Sequence, residues 1–363
     1  MRGALNLFQA TMLRWRSRHP YNAVHAARVP HALDAARLRA TIASALEDTG
    51  LTGYALSAAR LRFEWRGGPA DVVLAVVAPP PNVDDALRAG IERGLERPYV
   101  SDGAYTPITF EAIPDGAAFW LLLGYDHLVA GGDSAVTLLG GICARYAAPG
   151  PLPALERHPA RFRRMIARHP LQAARAVAGL PRLALRSRRA RRPPGLEIRD
   201  GTNLFVMRSL GANVADGIAR TAKRLGATRN DVLMAALIRA IADLRPAQAA
   251  GARRYEMGVA AIVNIRSDCA APASRTFGQF LSSFRASYPD PASAPLDDVV
   301  RAVHAESRDL RTRRRYLRSL CAIAVSGFAW RVVRDDRRDS LYAKHYPVWS
   351  GLTTLLVPGL WNA

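Results

Sequence analysis

The chain has 363 residues, 49% of them apolar, and carries 51 Lys and Arg against 30 Asp and Glu, a net charge of +21. That balance is globular, and the length predicts two subdomains rather than one core. No run approaches the roughly 18 apolar residues that span a bilayer, no signal peptide is evident, and the isolated Cys143, Cys269 and Cys321 support neither a disulfide framework nor a zinc site. These features predict a cytoplasmic protein. Only Lys223 and Lys344 are lysines, and the excess of Arg over acid favours an anionic partner: a phosphorylated carrier or cofactor, a membrane surface or nucleic acid.

In chain order, Leu5–Arg16 reads as a short helix, Asn22–Val29 as a weakly alternating strand and Leu33–Leu46 as a helix. Leu61–Trp65 and Val72–Val77 read as strands around the turn Gly67-Gly68-Pro69, and Val83–Leu95 as a helix after the break at Pro79-Pro80-Pro81. Pro107–Ile113 and Phe119–Tyr125 are predicted to pair through the turn Pro114-Asp115-Gly116. Val136, Leu138, Leu139, Ile142 and Cys143 then recur at helical spacing up to Tyr146, with Asp133 or Ser134 as the N-cap.

Residues Arg157 to Pro194 contain twelve Arg and no Asp or Glu. Arg161–Arg168 and Leu171–Leu185 are amphipathic, and Arg186–Pro194 reads as a flexible linker. The stretch is either a solvated connection or a surface, Arg157–Arg192, that meets anionic lipid headgroups. Phe162 is its single aromatic, so it offers no stacking platform, which argues against nucleic acid. Next come a strand at Leu204–Arg208, a helix at Val214–Leu225 closed by Gly226, and an apolar helix to Leu244 capped by Thr228 or Asn230. Met257–Val263 reads as a buried strand leading into Asn264-Ile265-Arg266, and Thr276–Phe284 as another strand. A helix at Leu296–Leu310, a solvated basic face at Arg311–Arg318 and a strand at Ser350–Pro358 complete the pattern.

The chemistry concentrates where the strand Phe119–Tyr125 ends, at Asp126-His127-Leu128-Val129-Ala130-Gly131-Gly132-Asp133-Ser134. His127 is the one histidine at the end of an uncharged apolar strand and before a glycine-rich turn. Such a residue is either a hydrogen-bonded strand end or a general base with a pKa near working pH.

This stretch resembles the His-His-x-x-x-Asp-Gly-x-Ser motif of the chloramphenicol acetyltransferase-like superfamily, which includes nonribosomal peptide condensation domains and wax ester synthase/diacylglycerol acyltransferases. Without gaps, Asp126 takes the first His position and His127 the second, catalytic one; Gly131 takes the Asp position, Gly132 the Gly and Ser134 the Ser. Asn230-Asp231-Val232 resembles the Asn-Asp-Val helix of the wax ester synthase branch. Asn264 and Arg266 resemble the position whose Arg pairs with the motif Asp, and Gly278-Gln279 a following Gly-Asn strand. Gly131 therefore departs from the pattern, and Arg266 loses its usual partner unless Asp133, two residues later, reaches it.

The resemblance implies an α/β chain of α+β type: two chloramphenicol acetyltransferase-like half-domains, each a mixed sheet covered by helices, set as a V around a tunnel. Residues 1–155 would form the half carrying the His, 156–195 an Arg-rich linker, and 196–363 a second half that stops before the fold's last strands and helices. It also implies transfer of an acyl group from coenzyme A or an acyl carrier protein to an alcohol or amine, with His127 as general base. No bound cofactor is implied; acyl-CoA or an acyl-phosphopantetheine carrier is the co-substrate. The backbone amides of Gly131 and Gly132, or Ser134, would meet the oxyanion. The other reading is an inactive member that binds a carrier, a lipid or a membrane surface, peripherally at the inner membrane.

Overall fold

The computed structural model describes residues 1–16, 20–150, 156–157, 162–192, 203–244, 253–269, 276–334, 337 and 348–355, the side chains of 156, 157, 164 and 311 excepted. The first half is built on a sheet of order β2-β8-β7-β5, formed by Asn22–Val29, Ala118–Asp126, Ile108–Asp115 and Leu74–Val76. β7 and β8 form the predicted antiparallel pair, with Ile108 opposite Tyr125, and β2 flanks β8 with Asn22 opposite Asp126. Helix α3 (Val83–Glu96) covers one face of this sheet, and α4 (Gly132–Ala147) packs on β2 and on α2 (Ala35–Thr49). Cover on both faces explains why β8 reads as a continuous apolar run without alternation. β5 and β7 are parallel because α3 crosses between them.

The two strands predicted around Gly67-Gly68 do not pair with each other. β4 (Arg62–Trp65) joins a separate sheet of order β1-β4-β3-β6, with Arg2–Ala4, Tyr54–Ser57 and Gly103–Ala104, whereas β5 belongs to the main sheet. Capping follows side-chain chemistry. Asp34 accepts from the Arg37 amide at the start of α2, and Gly50 ends the helix at φ 63°, a region glycine occupies without a Cβ clash.

In the second half, β10 (Glu256–Asn264) pairs antiparallel with β12 (Leu281–Pro289) over its whole length and parallel with β13 (Gly351–Leu352). Helices α8 (Ala212–Arg224), α9 (Arg229–Asp243) and α11 (Leu296–Thr312) share a core with these strands, through Ala222, Ile238, Val259, Ala286 and Val303. Thr228, not Asn230, caps α9, in a reciprocal box with Asp231. The predicted strand Thr276–Phe284 is divided: β11 (Thr276–Phe277) pairs with β9 (Glu156–Arg157), and β12 starts at Leu281.

Three further expectations are corrected. Residues 203–210 carry no strand, and Leu204 and Val206 are exposed there. The basic segment is helical over its amphipathic stretches, as α5 (Phe162–Arg168), α6 (Pro170–Ala178) and α7 (Leu180–Arg189), but Arg186 belongs to α7 and not to a flexible linker. Its guanidinium bonds Glu306, Glu256 and the Ser287 carbonyl, and these partly buried acids pull α7 onto the second half. The end of that linker, 193–194, lies outside the described residues, as do 356–358 of the last predicted strand. Finally, the Arg311–Arg318 cluster is not one solvated helical face: it spans the end of α11, a turn at 313–315 and the start of a helix absent from the expectations, α12 (Tyr316–Val332), and Arg314 reaches Asp268.

Candidate functional site

β8 delivers the chain to Asp126, and a turn through His127–Gly131 leads into α4. Successive residues of a strand point to opposite faces. Asp126 is buried, where its carboxylate accepts from Arg16, from the Tyr105 hydroxyl at 2.5 Å and from the Leu128 amide at 3.0 Å. It pins the turn from behind. Tyr125 and His127 share the other face, their rings 5.7 Å apart in an edge contact.

The His127 Nδ1 lies 2.7 Å from the Ala130 carbonyl oxygen. A carbonyl only accepts, so Nδ1 carries the proton and Nε2 keeps its lone pair. Burial holds the imidazole below its ordinary pKa, against the carbonyls of Ala130 and His127 and the carboxylates of Asp126 and Asp133. At neutral pH it is therefore an uncharged base in a single tautomer. The loop itself is tied to both halves. The His127 amide donates to Tyr21 O at 2.9 Å, Gln9 donates to Leu128 O at 2.7 Å, and Gln279 Nε2 donates to His127 O at 3.0 Å. Gly131 N donates to Gly278 O at 3.0 Å.

Asp133 does reach Arg266. Its Oδ2 is 2.8 Å from Arg266 Nη2 and 2.7 Å from Asn264 Nδ2, and its Oδ1 accepts from the Ser134 amide at 2.9 Å. Arg266 also donates to Ser134 Oγ at 2.7 Å and Thr276 O at 2.6 Å, with its guanidinium 5.0 Å over the Phe280 ring. Burial lowers the pKa of this arginine and Asp133 opposes that shift. The departure at Gly131 has a steric counterpart. A Cβ at position 131 would stand 3.0 Å from Asp133 Oδ1, so the carboxylate from two residues later already occupies the space that a side chain at 131 would enter.

Two local expectations fail because these groups are engaged elsewhere. Gly131 is the N-cap of α4 and no side chain caps the helix: Asp133 turns to Arg266, and Ser134 Oγ donates to the Gly278 and Thr276 carbonyls. Of the three oxyanion donors considered, the Gly131 amide and Ser134 are thereby committed, which leaves the Gly132 amide. Asn230 and Asp231 do not join the cluster. Asp231 accepts from Thr228 and from His304 Nδ1 at 2.9 Å, and Asn230 accepts from Thr354 at 3.0 Å.

The sequence reading overlooked His25, which lies on β2 beside β8. Its ring stacks on Tyr125 at 5.8 Å, and its Nε2 is 3.4 Å from the Tyr125 hydroxyl. Burial, then the proximity of His127, brings its pKa down to about 4. A signal was present: His25 alternates with Ala27 and Val29, both buried, so period two places it on the core face. A Cβ on Gly132 would meet Leu355 at 3.0 Å and His25 Nε2 at 3.5 Å, so the segment after β13 closes over the same turn.

The architecture has solved counterparts. The first condensation domain of the calcium-dependent antibiotic synthetase, in complex with a substrate analogue, matches 99% of this chain and 81% of its own at 17% identity, with a TM-score of 0.67. The chain has the condensation-domain fold. The cyclization-docking bidomain of EpoB from Sorangium cellulosum matches 98% of this chain and 71% of its own at 14% identity and a TM-score of 0.68. The condensation domain of the Monacolin K polyketide synthase MokA matches 87% and 74% at 15% identity and a TM-score of 0.60. No protein-family model and no curated protein sequence matches the chain. In the condensation-domain fold, both halves contribute to the described cluster: His127, Asp133 and Ser134 from the first, and Asn264, Arg266, Gly278 and Gln279 from the second.

Proposed function

We propose that the chain is an acyltransferase that moves an acyl group from a thioester, on coenzyme A or a phosphopantetheine carrier, to an amine or alcohol. The observation that carries this reading is the His127 tautomer. Its Nδ1–H is spent on Ala130 O, at 2.7 Å, so the basic nitrogen is Nε2. As the acceptor nitrogen or oxygen attacks the thioester carbonyl carbon, Nε2 takes its proton. The tetrahedral oxyanion collapses, the carbon–sulfur bond breaks, and the departing sulfur recovers that proton from the imidazolium. No covalent enzyme intermediate is needed. The Gly132 amide, at the N-terminus of α4, is the donor we assign to the oxyanion.

Asp133 and Arg266 act as positioning residues in this scheme. They hold the turn on which the imidazole stands without touching the imidazole itself. The basic surface supports a phosphate-bearing donor, because Arg pairs readily with phosphate.

The test is thiol release from a panel of acyl-CoA and acyl-carrier donors, with polar and lipid extracts as acceptors. Release that needs acceptor and falls by about a hundredfold or more in His127→Ala supports the base. Release unchanged in His127→Ala refutes it, and no release from any donor transfers the reading to a carrier- or lipid-binding module.

A further inference from the structure

All the excess positive charge of this chain resides in three stretches. Residues 1–33, 157–196 and 310–334 contain 24 Arg and not one Asp or Glu, whereas the rest of the chain carries 27 basic and 30 acidic residues. The fold gathers these stretches. They supply α1 (Leu7–Trp15), α5, α6, α7 and α12, and both α1 and α6 pack directly against α12. Met165, Ala176, Leu317 and Leu320 share one core cluster, while Trp15 packs tilted against Trp330 with ring centroids 4.7 Å apart.

α12 is apolar on two sides. Leu317, Leu320, Ile323 and Trp330 are buried. The opposite side carries Val325, Phe328 and Val332, spaced at i, i+3 and i+7 and therefore aligned in one stripe. They are 58%, 69% and 69% exposed. Arg331 stands exposed beside the stripe, and the Arg14 guanidinium lies against Gly327, 2.5 Å from where a Cβ would stand. Leu171, Val177 and Leu185 add exposed apolar side chains on α6 and α7, among Arg175, Arg182, Arg188 and Arg189.

A wet apolar stripe set among helices drawn from three acid-free, Arg-rich stretches of sequence is matched to one kind of surface. Acyl-chain boundary receives Phe328 and its neighbours, and anionic headgroups receive the guanidiniums. No helix among the described residues is long and apolar enough to cross a membrane, so the contact is interfacial. We infer that the last turns of α12, with Arg14 and Arg331, dock this protein onto an anionic lipid surface. The proposal differs from the sequence expectation in its location: Arg186 is occupied by Glu256 and Glu306, and the apolar anchor is on a helix the sequence did not reveal.

The experiment is flotation of the full chain with vesicles of phosphatidylcholine alone or mixed with phosphatidylglycerol. Wild type should float with the anionic vesicles only, and high salt should weaken it. The triple variant Val325→Ser/Phe328→Ser/Val332→Ser and the single variant Arg331→Gln should both retain the fold, because the changed side chains are exposed. The triple change should reduce partitioning by about tenfold or more, and Arg331→Gln by about fivefold. A thiol-reactive, environment-sensitive dye on Phe328→Cys should shift to the blue on anionic vesicles alone. Equal flotation of wild type and triple variant overturns the proposal, as does flotation independent of lipid charge. Sedimentation that shows lipid-free self-association through the stripe, or binding to polyglutamate with no dependence on the stripe, overturns it in favour of a second copy or an acidic polypeptide.

Discussion

Moving the Asp133 carboxylate back to position 131 tests the central geometric argument. Asp133→Ala removes two partners from the second half at once, Arg266 at 2.8 Å and Asn264 at 2.7 Å, and leaves the buried guanidinium with Ser134 and Thr276 O. Breaking a fully buried pair costs about 3–5 kcal/mol. The Asp133 side chain is 34% exposed and Arg266 keeps neutral acceptors, so the expected loss is about 2 kcal/mol, or roughly 3 °C in melting temperature. Gly131→Asp alone should also destabilise, since the new side chain starts 3.0 Å from Asp133 Oδ1 and brings a like charge. The backbone at 131, φ −83° and ψ 161°, accepts any L-residue, so only that crowding opposes it. The double change Gly131→Asp/Asp133→Ala should then recover most of the loss, with a favourable coupling of at least about 1 kcal/mol in a double-mutant cycle. Melting temperatures of the four proteins, with thiol release measured beside them, decide the matter. Strict additivity would refute the idea that a carboxylate from either position fills the same space and meets the same arginine.

Other outcomes follow from the same geometry. Because burial lowers the His127 pKa, transfer should already be on its plateau at neutral pH and fall only below the ordinary histidine range, which a pH–rate profile will show. His25, with a folded pKa of about 4, stays neutral where the unfolded imidazole, near 6.5, is protonated. Its contribution is complete above about pH 6.5 and is lost as the pH falls toward 4, on the order of 3 kcal/mol. His25→Gln should flatten the melting temperature over that window; an unchanged slope would assign the pH dependence elsewhere. Gln279→Leu removes the donor to His127 O at 3.0 Å and should lower the transfer rate by about tenfold with little change in KM for the donor. Arg186→Gln leaves the partly buried Glu256 and Glu306 without their cation and should cost about 1–2 kcal/mol in denaturant unfolding, more at neutral than at acid pH, since burial raises the Glu306 pKa.

The local chemistry of the chain was legible before any coordinates. The run Phe119–Tyr125 and its turn to Pro107–Ile113 specified the central hairpin, because a strand buried on both faces needs uniform apolarity. Thr228 or Asn230 announced a helix start, and the structure chose Thr228 through its reciprocal hydrogen bonds with Asp231. His127, alone at the end of an uncharged strand, drew attention to the candidate site. Tertiary structure decided the questions that depend on distance across the chain. Asp133 meets Arg266, 133 residues away, only because the turn is held against Gly278 and Gln279. Arg186 is an internal cation rather than part of a loose linker because β10 and α11 present Glu256 and Glu306 to it. His25 is neutral because β2 lies beside β8, and α12 bares Phe328 because its other face is already taken by α1 and β12. Propensity, capping and periodicity act within a few residues and can be read along the chain. Burial and charge pairing are set by whichever segments the fold brings together, so they become readable only once the chain has closed on itself.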